Sequence, residues 1–579
     1  MSLRDAPSLP TSPNHAHAFA GALFEELARS GVQHVCVSPG SRSTPLVAAA
    51  VGQPQLRCWS HLDERSSAFF ALGLAKATRA PVALVCTSGT AAANFHPAVI
   101  EAHHARVALL VLTADRPPEL RDWGAGQTID QLRLYGAAVR WFAEAPVPAG
   151  GEAALRHARA LACRAVAVAK GRPAGPVHLN LPFREPLEPG VEPPARAAGL
   201  EPLAADGRGE APYTQSETSP AAPAPQLAAS LAEILRTSER GVVACGPLDA
   251  TPAAAQAIAK LATALGWPLL AEPTSQLRRG RHLEGAPVVA TSDLFLRDEA
   301  TAARLVPDCV LRFGDTPTSK PFRLWLEQHR PRDLLLVDPD AVWHDPSHLA
   351  SSVLRAEPEA LCDALLRQLG EQPATLSPWL HDFLEAERRT RATLEALLAD
   401  ETSLLEPRAV RELGEALPDG ALLYVSNSMP VRDLDAFLAP GPSALRVLCN
   451  RGANGIDGMV SSALGAAAAA EAPVVLLTGD LAFLHDAGGL LAAHRYALRA
   501  TIVVLDNDGG GIFSLLPIAE YGEAVGFEEY FRAPHGLDLG AVAGAYGARF
   551  SRVGSWEHFR SALEKSFAEP GVSLVAVPV

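Results

Sequence analysis

GDLAFLHDAGGLLAAHRYALRATIVVLDNDGGGIF, residues Gly479–Phe513, is the stretch around which the rest of the chain is organised. An apolar run, Val474–Leu477, leads into Gly479-Asp480. Leu490, Leu491, His494 and Ala497 then recur at helical spacing, and a second apolar run, Thr501–Leu505, ends in Asp506-Asn507-Asp508 and three glycines. The pattern predicts strand, helix, strand. Both polar clusters fall at the carboxyl ends of their strands, where open α/β sheets bind ligands. A carboxylate at one strand end and an amide oxygen at the next are hard donors. They suit Mg²⁺, which takes few protein ligands and leans on phosphate oxygens. Glycines let backbone approach an anion closely. An ordinary βαβ crossover with a glycine-rich turn carries the same residue types, so this stretch by itself leaves both readings open.

The composition narrows the class. Acidic residues number 64 against 50 Lys and Arg, a formal charge of −14, which leaves no electrostatic footprint for nucleic acid or an anionic membrane. At 579 residues, 48% apolar, the chain has material for several cores in about three or four domains. The opening MSLRDAPSLPTSPNH lacks the apolar centre of a signal peptide. The longest weakly polar run, Ser461–Leu477, is interrupted by Glu471 and Pro473 and reads as a helix followed by a strand. The eight cysteines form no C-x-x-C pair, and Cys36, Cys86, Cys245 and Cys309 lie in strand-like runs. Reduced, buried thiols in a cytoplasmic protein are expected.

Along the chain, residues 1–14 lack periodicity and are expected to be disordered. A first domain, 15–188, alternates strands at His34–Val37, Val82–Cys86 and Val107–Thr113 with helices at Glu64–Arg79 and Ala91–His104. A linker rich in Pro, Ala, Gly and Glu spans 189–226. A middle domain, 227–370, has strands at Gly241–Cys245, Leu269–Ala271, Cys309–Phe313 and Leu334–Val337. After Cys245-Gly246-Pro247 it lacks the third glycine of a dinucleotide fingerprint. A helical segment, 371–404, bridges to the last domain, 405–579. The expected fold is α/β, three doubly wound parallel-sheet domains.

Several loops at strand ends carry candidate chemistry. In the first domain they hold Ser41 and Arg42, then Asp63-Glu64-Arg65, then Thr87–Thr90, then Asp115, Arg116 and Gln127. Later come Lys320 in Thr318–Pro321, Asn427, Ser428 and Arg432 after strand Leu422–Val425, and Arg451 and Ile456 after strand Arg446–Cys449. Each has a plain alternative. An acid in a first helical turn usually pairs with the helix dipole, and a loop arginine or lysine is often only solvated. The set is harder to dismiss. Arg42, Arg116, Lys320, Arg432 and Arg451 all fall in such loops of an acidic chain. Arginine binds carboxylates bidentately, so small polycarboxylate substrates are expected.

SPGSRSTPL (38–46), DERSSAFFALGLAK (63–76), TSGTAAANFHPAVIEA (87–102) and TADRPPEL…GQTIDQ (113–131) occur in this order. Together they resemble the 2-succinyl-5-enolpyruvyl-6-hydroxy-3-cyclohexene-1-carboxylate (SEPHCHC) synthase family of menaquinone biosynthesis. The likeness covers most of the first 190 residues and resumes at Leu422. The spacing from Gly479 to Asn507 is similar to the diphosphate–metal motif of thiamine-diphosphate enzymes at large. The resemblance implies three domains of that enzyme type, the first binding the pyrimidine and the last the diphosphate. It implies that thiamine diphosphate is held between two copies of the chain, in a homodimer at least, with dimer and tetramer both open.

By motif position, Glu64 is the cofactor-activating glutamate. Asn427, Ser428, Gly479, Asp480, Leu481 and Asn507 border the cofactor, and Ile456 is wedged beneath it. Asp480, Asn507 and the Gly509 carbonyl hold Mg²⁺ or Mn²⁺. Ser41, Arg42, Arg116, Gln127, Lys320, Ser428, Arg432 and Arg451 contact the substrates, 2-oxoglutarate and isochorismate. Phe513 and Leu516 pack against the acceptor ring or else belong to a core. The implied reaction decarboxylates 2-oxoglutarate and adds the succinyl unit to isochorismate in a 1,4 manner. Leu481, where many thiamine enzymes carry Gly, agrees with the synthase family. Asp508, where many carry a second Asn, places an extra charge beside the metal loop. Two rival readings are an acetolactate-synthase-like 2-oxo acid enzyme and a non-catalytic ligand-binding protein on the same fold.

Overall fold

Strands of two to seven residues, most of them apolar runs and spaced by helices, form three sheets of six parallel strands each in the computed structural model. The structure describes residues 15–189, 200–217, 223–370 and 377–579. The first sheet holds β1 (His34–Val37), β2 (Arg57–Ser60), β3 (Val82–Cys86), β4 (Leu109–Asp115), β5 (Trp141–Glu144) and β6 (Val177–Pro182), in the order β2-β1-β3-β4-β6-β5. The second holds β7 (Gly241–Cys245), β8 (Leu269–Ala271), β9 (Val288–Val289), β10 (Cys309–Phe313), β11 (Asp333–Val337) and β12 (Ser352–Leu354), in the order β12-β11-β10-β7-β8-β9. The third holds β13 (Ala421–Val425), β14 (Leu445–Cys449), β15 (Val474–Gly479), β16 (Ala500–Asp506), β17 (Arg549–Arg552) and β18 (Val572–Pro578), ordered β14-β13-β15-β16-β18-β17.

The central strands β3, β4, β13 and β16 are buried at every residue, because helices cover both faces. That is why they read as unbroken apolar runs rather than as alternating ones. The expected doubly wound architecture is borne out three times over. The first and third sheets share one strand order. In each, the chain leaves in opposite directions from two adjacent strands, β1 and β3 or β13 and β15, which makes a crevice at their carboxyl ends. The middle sheet has the strand order of dinucleotide-binding folds without the glycine fingerprint.

Local bounds differ from expectation where a specific residue intervenes. The helix expected over 91–104 is two, Thr90–Asn94 and His96–His104, with Pro97 in the first turn of the second. In the opening stretch the helix starts at Asp480 and runs to His485, then resumes as Leu490–Tyr496 after a tight turn. Ala497 closes it in the left-handed region at φ 50°. The expected disorder of 1–14 lies outside the described residues, as do 190–199 and 218–222 of the linker. Within the linker, Pro202–Asp206 is a helical turn with Ala204 and Ala205 buried, and both of their carbonyls accept from the buried Arg159 guanidinium.

Contacts group the chain into two compact units. One comprises Met1–Thr218, Asn450–Ala470 and His485–Leu498; the other comprises Ser219–Cys449, Glu471–Leu484 and Arg499–Val579. Within the first, the helix Glu64–Thr78 packs on the helix Met459–Ala467. Glycines make the approach possible: a Cβ on Gly73 would lie 1.8 Å from the Ser462 carbonyl oxygen, and one on Gly465 would lie 2.0 Å from that of Phe70.

Candidate active site

In the second unit, β15 delivers Asp480 and β16 delivers Asn507 to neighbouring strand ends. Asp480 is buried, 2% exposed. Its Oδ1 accepts the Leu481 N–H at 2.6 Å, and its Oδ2 accepts the Gly509 N–H at 2.9 Å. Burial pushes the Asp480 carboxyl above its ordinary range, against the pull of those two N–H groups. The Asn507 side chain donates from Nδ2 to Glu406 Oε1 at 3.3 Å, while its Oδ1 is buried with no hydrogen-bond partner among the described residues. A buried carbonyl-type oxygen left bare is costly unless a donor or a cation completes it. A carboxylate joined through Gly509 to such an oxygen fits a hard divalent ion. The Gly509 carbonyl accepts the Gly511 N–H at 3.1 Å and keeps a second lone pair.

The loop beyond the glycines closes on this turn. Arg532 donates to the Asn507 carbonyl at 3.1 Å, and its own carbonyl accepts the Gly510 N–H at 2.6 Å. Asp508 is exposed and in the left-handed region at φ 54°. Its Oδ1 accepts the N–H groups of His535 and Gly536 at 3.1 and 2.8 Å, and these bonds hold its carboxyl below the usual range. The extra charge thus anchors a loop. His535 Nε2 lies 3.5 Å from Asp480 Oδ2. Asp480, Asp506 and His535 form a second donor set around the same aspartate, their ligand atoms within 4.8 Å of one another.

Beneath Asn507 lie two acids that the sequence did not single out. Burial raises Glu406, and burial together with Glu406 pushes Asp433 up to about 8. Ser428, at φ 69°, precedes the helix Met429–Phe437, and its carbonyl accepts from Arg432 at 2.5 Å. Asn427 is buried, Arg432 exposed. Gly479 and Leu481 are half-buried on either side of Asp480. Phe513 packs edge-on to Phe531 with centroids 5.7 Å apart, and Leu516 is 40% exposed, so neither belongs to a core. Lys320 is exposed at the first position of the helix Lys320–His329, on the sheet that does not carry Asp480.

In the first unit, Glu64 is the first residue of its helix, behind Asp63, whose side chain caps the Arg65 N–H at 2.8 Å. The Glu64 carboxylate is half-exposed, with the Asn94 amide at 3.5 Å. Arg451 and Ile456 sit in a half-buried loop. Glu101 pins that loop by accepting the Gly452 and Ala453 N–H groups at 2.9 and 2.6 Å.

The loops after β1, β3, β4 and β6 converge. Gly40 abuts Thr87, where a Cβ would meet the Thr87 side chain at 2.3 Å. Arg42, 6% exposed, donates to the Phe183 carbonyl at 3.0 Å and to Glu185 at 3.2 Å. Arg116 donates to the Ser88 hydroxyl and, at 3.0 Å, to the carbonyl of Gln127, itself held at φ 57°. Burial first and the neighbouring Arg42 second depress the Arg116 pKa. Ser41 and Gln127 are exposed at the rim. Below them Gln131 accepts the Gly89 N–H at 2.9 Å and donates to Asn180 at 2.9 Å, tying the loops to the sheet.

Residues 17–134 match the thiamine pyrophosphate enzyme N-terminal TPP binding domain, 200–425 the middle domain of thiamine pyrophosphate, and 443–577 the C-terminal TPP binding domain. A 2-succinyl-5-enolpyruvyl-6-hydroxy-3-cyclohexene-1-carboxylate synthase of Geobacillus kaustophilus (strain HTA426) is 48% identical, over 96% of this chain and 94% of its own. The protein of that name from Myxococcus xanthus (strain DK1622) is 49% identical, over 97% and 94%. Two solved structures share the fold. A benzoylformate decarboxylase from Polynucleobacter necessarius has a TM-score of 0.71 at 18% identity, covering 98% of this chain and 99% of that one. A thiamine diphosphate-dependent 4-hydroxybenzoylformate decarboxylase of Rhodococcus jostii RHA1 has 0.73 at 17%, covering 97% and 99%. With nearly half its residues shared along almost the whole of its relatives, this chain belongs to the 2-succinyl-5-enolpyruvyl-6-hydroxy-3-cyclohexene-1-carboxylate synthase family of thiamine pyrophosphate enzymes.

Proposed function

We propose that the chain catalyses the reaction its relatives are named for. It makes SEPHCHC from 2-oxoglutarate and isochorismate, with release of CO₂, as a step in menaquinone biosynthesis. The observation that carries this reading is the Arg42–Arg116 pair. Two guanidinium groups, in the loops that follow the carboxyl ends of β1 and β4, are close enough for one to depress the other's pKa. A dicarboxylate relieves that repulsion through bidentate bonds, where a monocarboxylate such as pyruvate does so less well.

Thiamine diphosphate, when bound, supplies the carbanion stabilisation that decarboxylation and carbon–carbon bond formation need. Asp480 and Asn507, with the Gly509 carbonyl, would hold Mg²⁺ or Mn²⁺ against its diphosphate. Gly479, Leu481, Asn427 and Ser428 would border it, and Ile456 would support its rings. Glu64 would hold a proton at the pyrimidine nitrogen. Ser41, Arg42, Arg116, Gln127, Lys320, Ser428, Arg432 and Arg451 would fix substrate carboxylates and hydroxyls in a reactive orientation. The exposed Leu516 and the half-buried Phe513 would offer apolar surface to the acceptor ring. The half-exposed Glu64 supports coverage by a second copy, in a homodimer at least. No helix among the described residues is long and apolar enough to cross a membrane, and most of the eight cysteines are buried, which suits a cytoplasmic enzyme.

Incubation with thiamine diphosphate, Mg²⁺, 2-oxoglutarate and isochorismate should release CO₂ and yield the adduct. Equal turnover on pyruvate alone would replace this reading with an acetolactate-synthase-like one. Absence of thiamine diphosphate binding in a titration would favour the non-catalytic reading.

A further inference from the structure

We propose that Glu406 is a positioning residue for the metal: by accepting from Asn507 Nδ2, it turns the amide so that Oδ1 faces the ion. The proposal rests on the reading of Asn507 as a metal ligand and extends it to a residue 101 positions away in the chain.

An asparagine amide has two nearly isosteric ends, and only the oxygen end can bind a cation. Something must select it. An accepting carboxyl oxygen selects the NH₂ end, and Glu406 Oε1 lies 3.3 Å from the amide nitrogen as its acceptor. The other end, Oδ1, is then buried and has no hydrogen-bond partner among the described residues. Gly511 confines the amide further, since a Cβ at that position would come 2.5 Å from Nδ2. Arg532 holds the Asn507 backbone through its carbonyl at 3.1 Å. Backbone and amide are thus both fixed, and Glu406 is the contact that decides which end of the amide points inward.

Glu406 opens the helix Glu406–Ala416, where an acid ordinarily serves the helix dipole and faces water. Here it is half-buried and directed at Asn507 instead. Outer partners of metal ligands commonly change metal affinity by about 10–100-fold when lost.

The test is the Mg²⁺ dissociation constant, titrated calorimetrically into the full chain with saturating thiamine diphosphate. Glu406→Leu should weaken Mg²⁺ by about 10–100-fold, and Glu406→Gln, which keeps an acceptor oxygen, should restore it to within about threefold of the parent. Glu406→Ala is measured beside them, so that a leucine variant that fails to fold does not end the experiment. In an Asn507→Ala background, loss of Glu406 should add nothing further. Native-like Mg²⁺ affinity in folded Glu406→Leu or Glu406→Ala overturns the proposal, as does additivity with Asn507→Ala. A glutamine variant as weak as leucine overturns it too, since charge rather than the hydrogen bond would then be at work. If the parent chain itself binds no Mg²⁺ with thiamine diphosphate, the metal reading falls first and takes this inference with it.

Discussion

Asp480 Oδ2 accepts the backbone N–H of Gly509 at 2.9 Å, bonding the end of one central strand to the glycine turn that follows the next. The bond sets the spacing between the aspartate and the Asn507 turn. It also depends on glycine. Gly509 has φ 145°, and a Cβ there would lie 2.2 Å from the Arg532 carbonyl oxygen. Asp480→Ala should therefore abolish Mg²⁺-dependent thiamine diphosphate binding. Gly509→Ala should weaken it while costing about 1–3 kcal/mol of stability. Calorimetry with and without Mg²⁺, beside a thermal melt, reads both effects.

Glu64→Gln should lower turnover by roughly 10²–10⁴-fold, the range for loss of a positioned acid or base. Its exposed position at the start of a helix predicts an unchanged melting temperature. Near-normal turnover would remove Glu64 from the chemistry.

Arg116→Ala removes bonds to Ser88 and Gln127 and relieves the repulsion from Arg42. The substrate KM should rise about tenfold or more, on the scale of a lost charge-assisted hydrogen bond, with thiamine diphosphate affinity unchanged. Arg451→Ala should likewise impair substrate use more than cofactor use. Steady-state kinetics with each substrate varied in turn, beside a cofactor titration, separates the two.

Gly73→Ala and Gly465→Ala each put a methyl group within about 2 Å of backbone on the facing helix. Neither backbone can retreat as a side chain would. Each should cost about 1–3 kcal/mol, the usual penalty of overpacking, read as a lower urea midpoint. An unchanged midpoint would mean that the two helices are not held at this distance in solution.

His178 is fully buried, its Nε2 2.8 Å from the Thr113 hydroxyl, and burial lowers its pKa from 6.5 to about 3. The unfolded chain takes up this proton below pH 6.5 while the folded chain refuses it. The stability is therefore fully present above pH 6.5 and is lost as pH falls toward 3. At pH 5 the loss is about 2 kcal/mol, at about 1.4 kcal/mol per pH unit. His178→Gln should flatten that part of the acid limb, which melting curves between pH 7 and pH 5 will show.

The element pattern was largely legible. The strands at His34, Val82, Gly241, Leu269 and Cys309 have the bounds expected of them, because strands buried on both faces announce themselves as unbroken apolar runs. Seven strands were not singled out: β2, β5, β6, β9, β12, β17 and β18. Arg57–Ser60 and Trp141–Glu144 are half-exposed and mix charge with aromatic residues, so no period stands out. At the site, Gly479, Asp480 and Asn507 signalled themselves through spacing at strand ends. Glu406, Asp433, Glu101 and His535 did not, since an acid at a helix start or a histidine in a loop looks the same whether or not it faces a ligand.

The division follows from range. Strand and helix periods arise among residues a few positions apart, and glycine turns at strand ends are local too, so sequence alone settles the α/β class and marks the loops that are candidates for chemistry. Which way the Asn507 amide points depends on Glu406, 101 residues away, and the shape of the Arg451 loop depends on Glu101, some 350 residues away. No periodicity links such positions. They meet only once the sheets and helices have packed, and burial then makes an unmatched polar group costly.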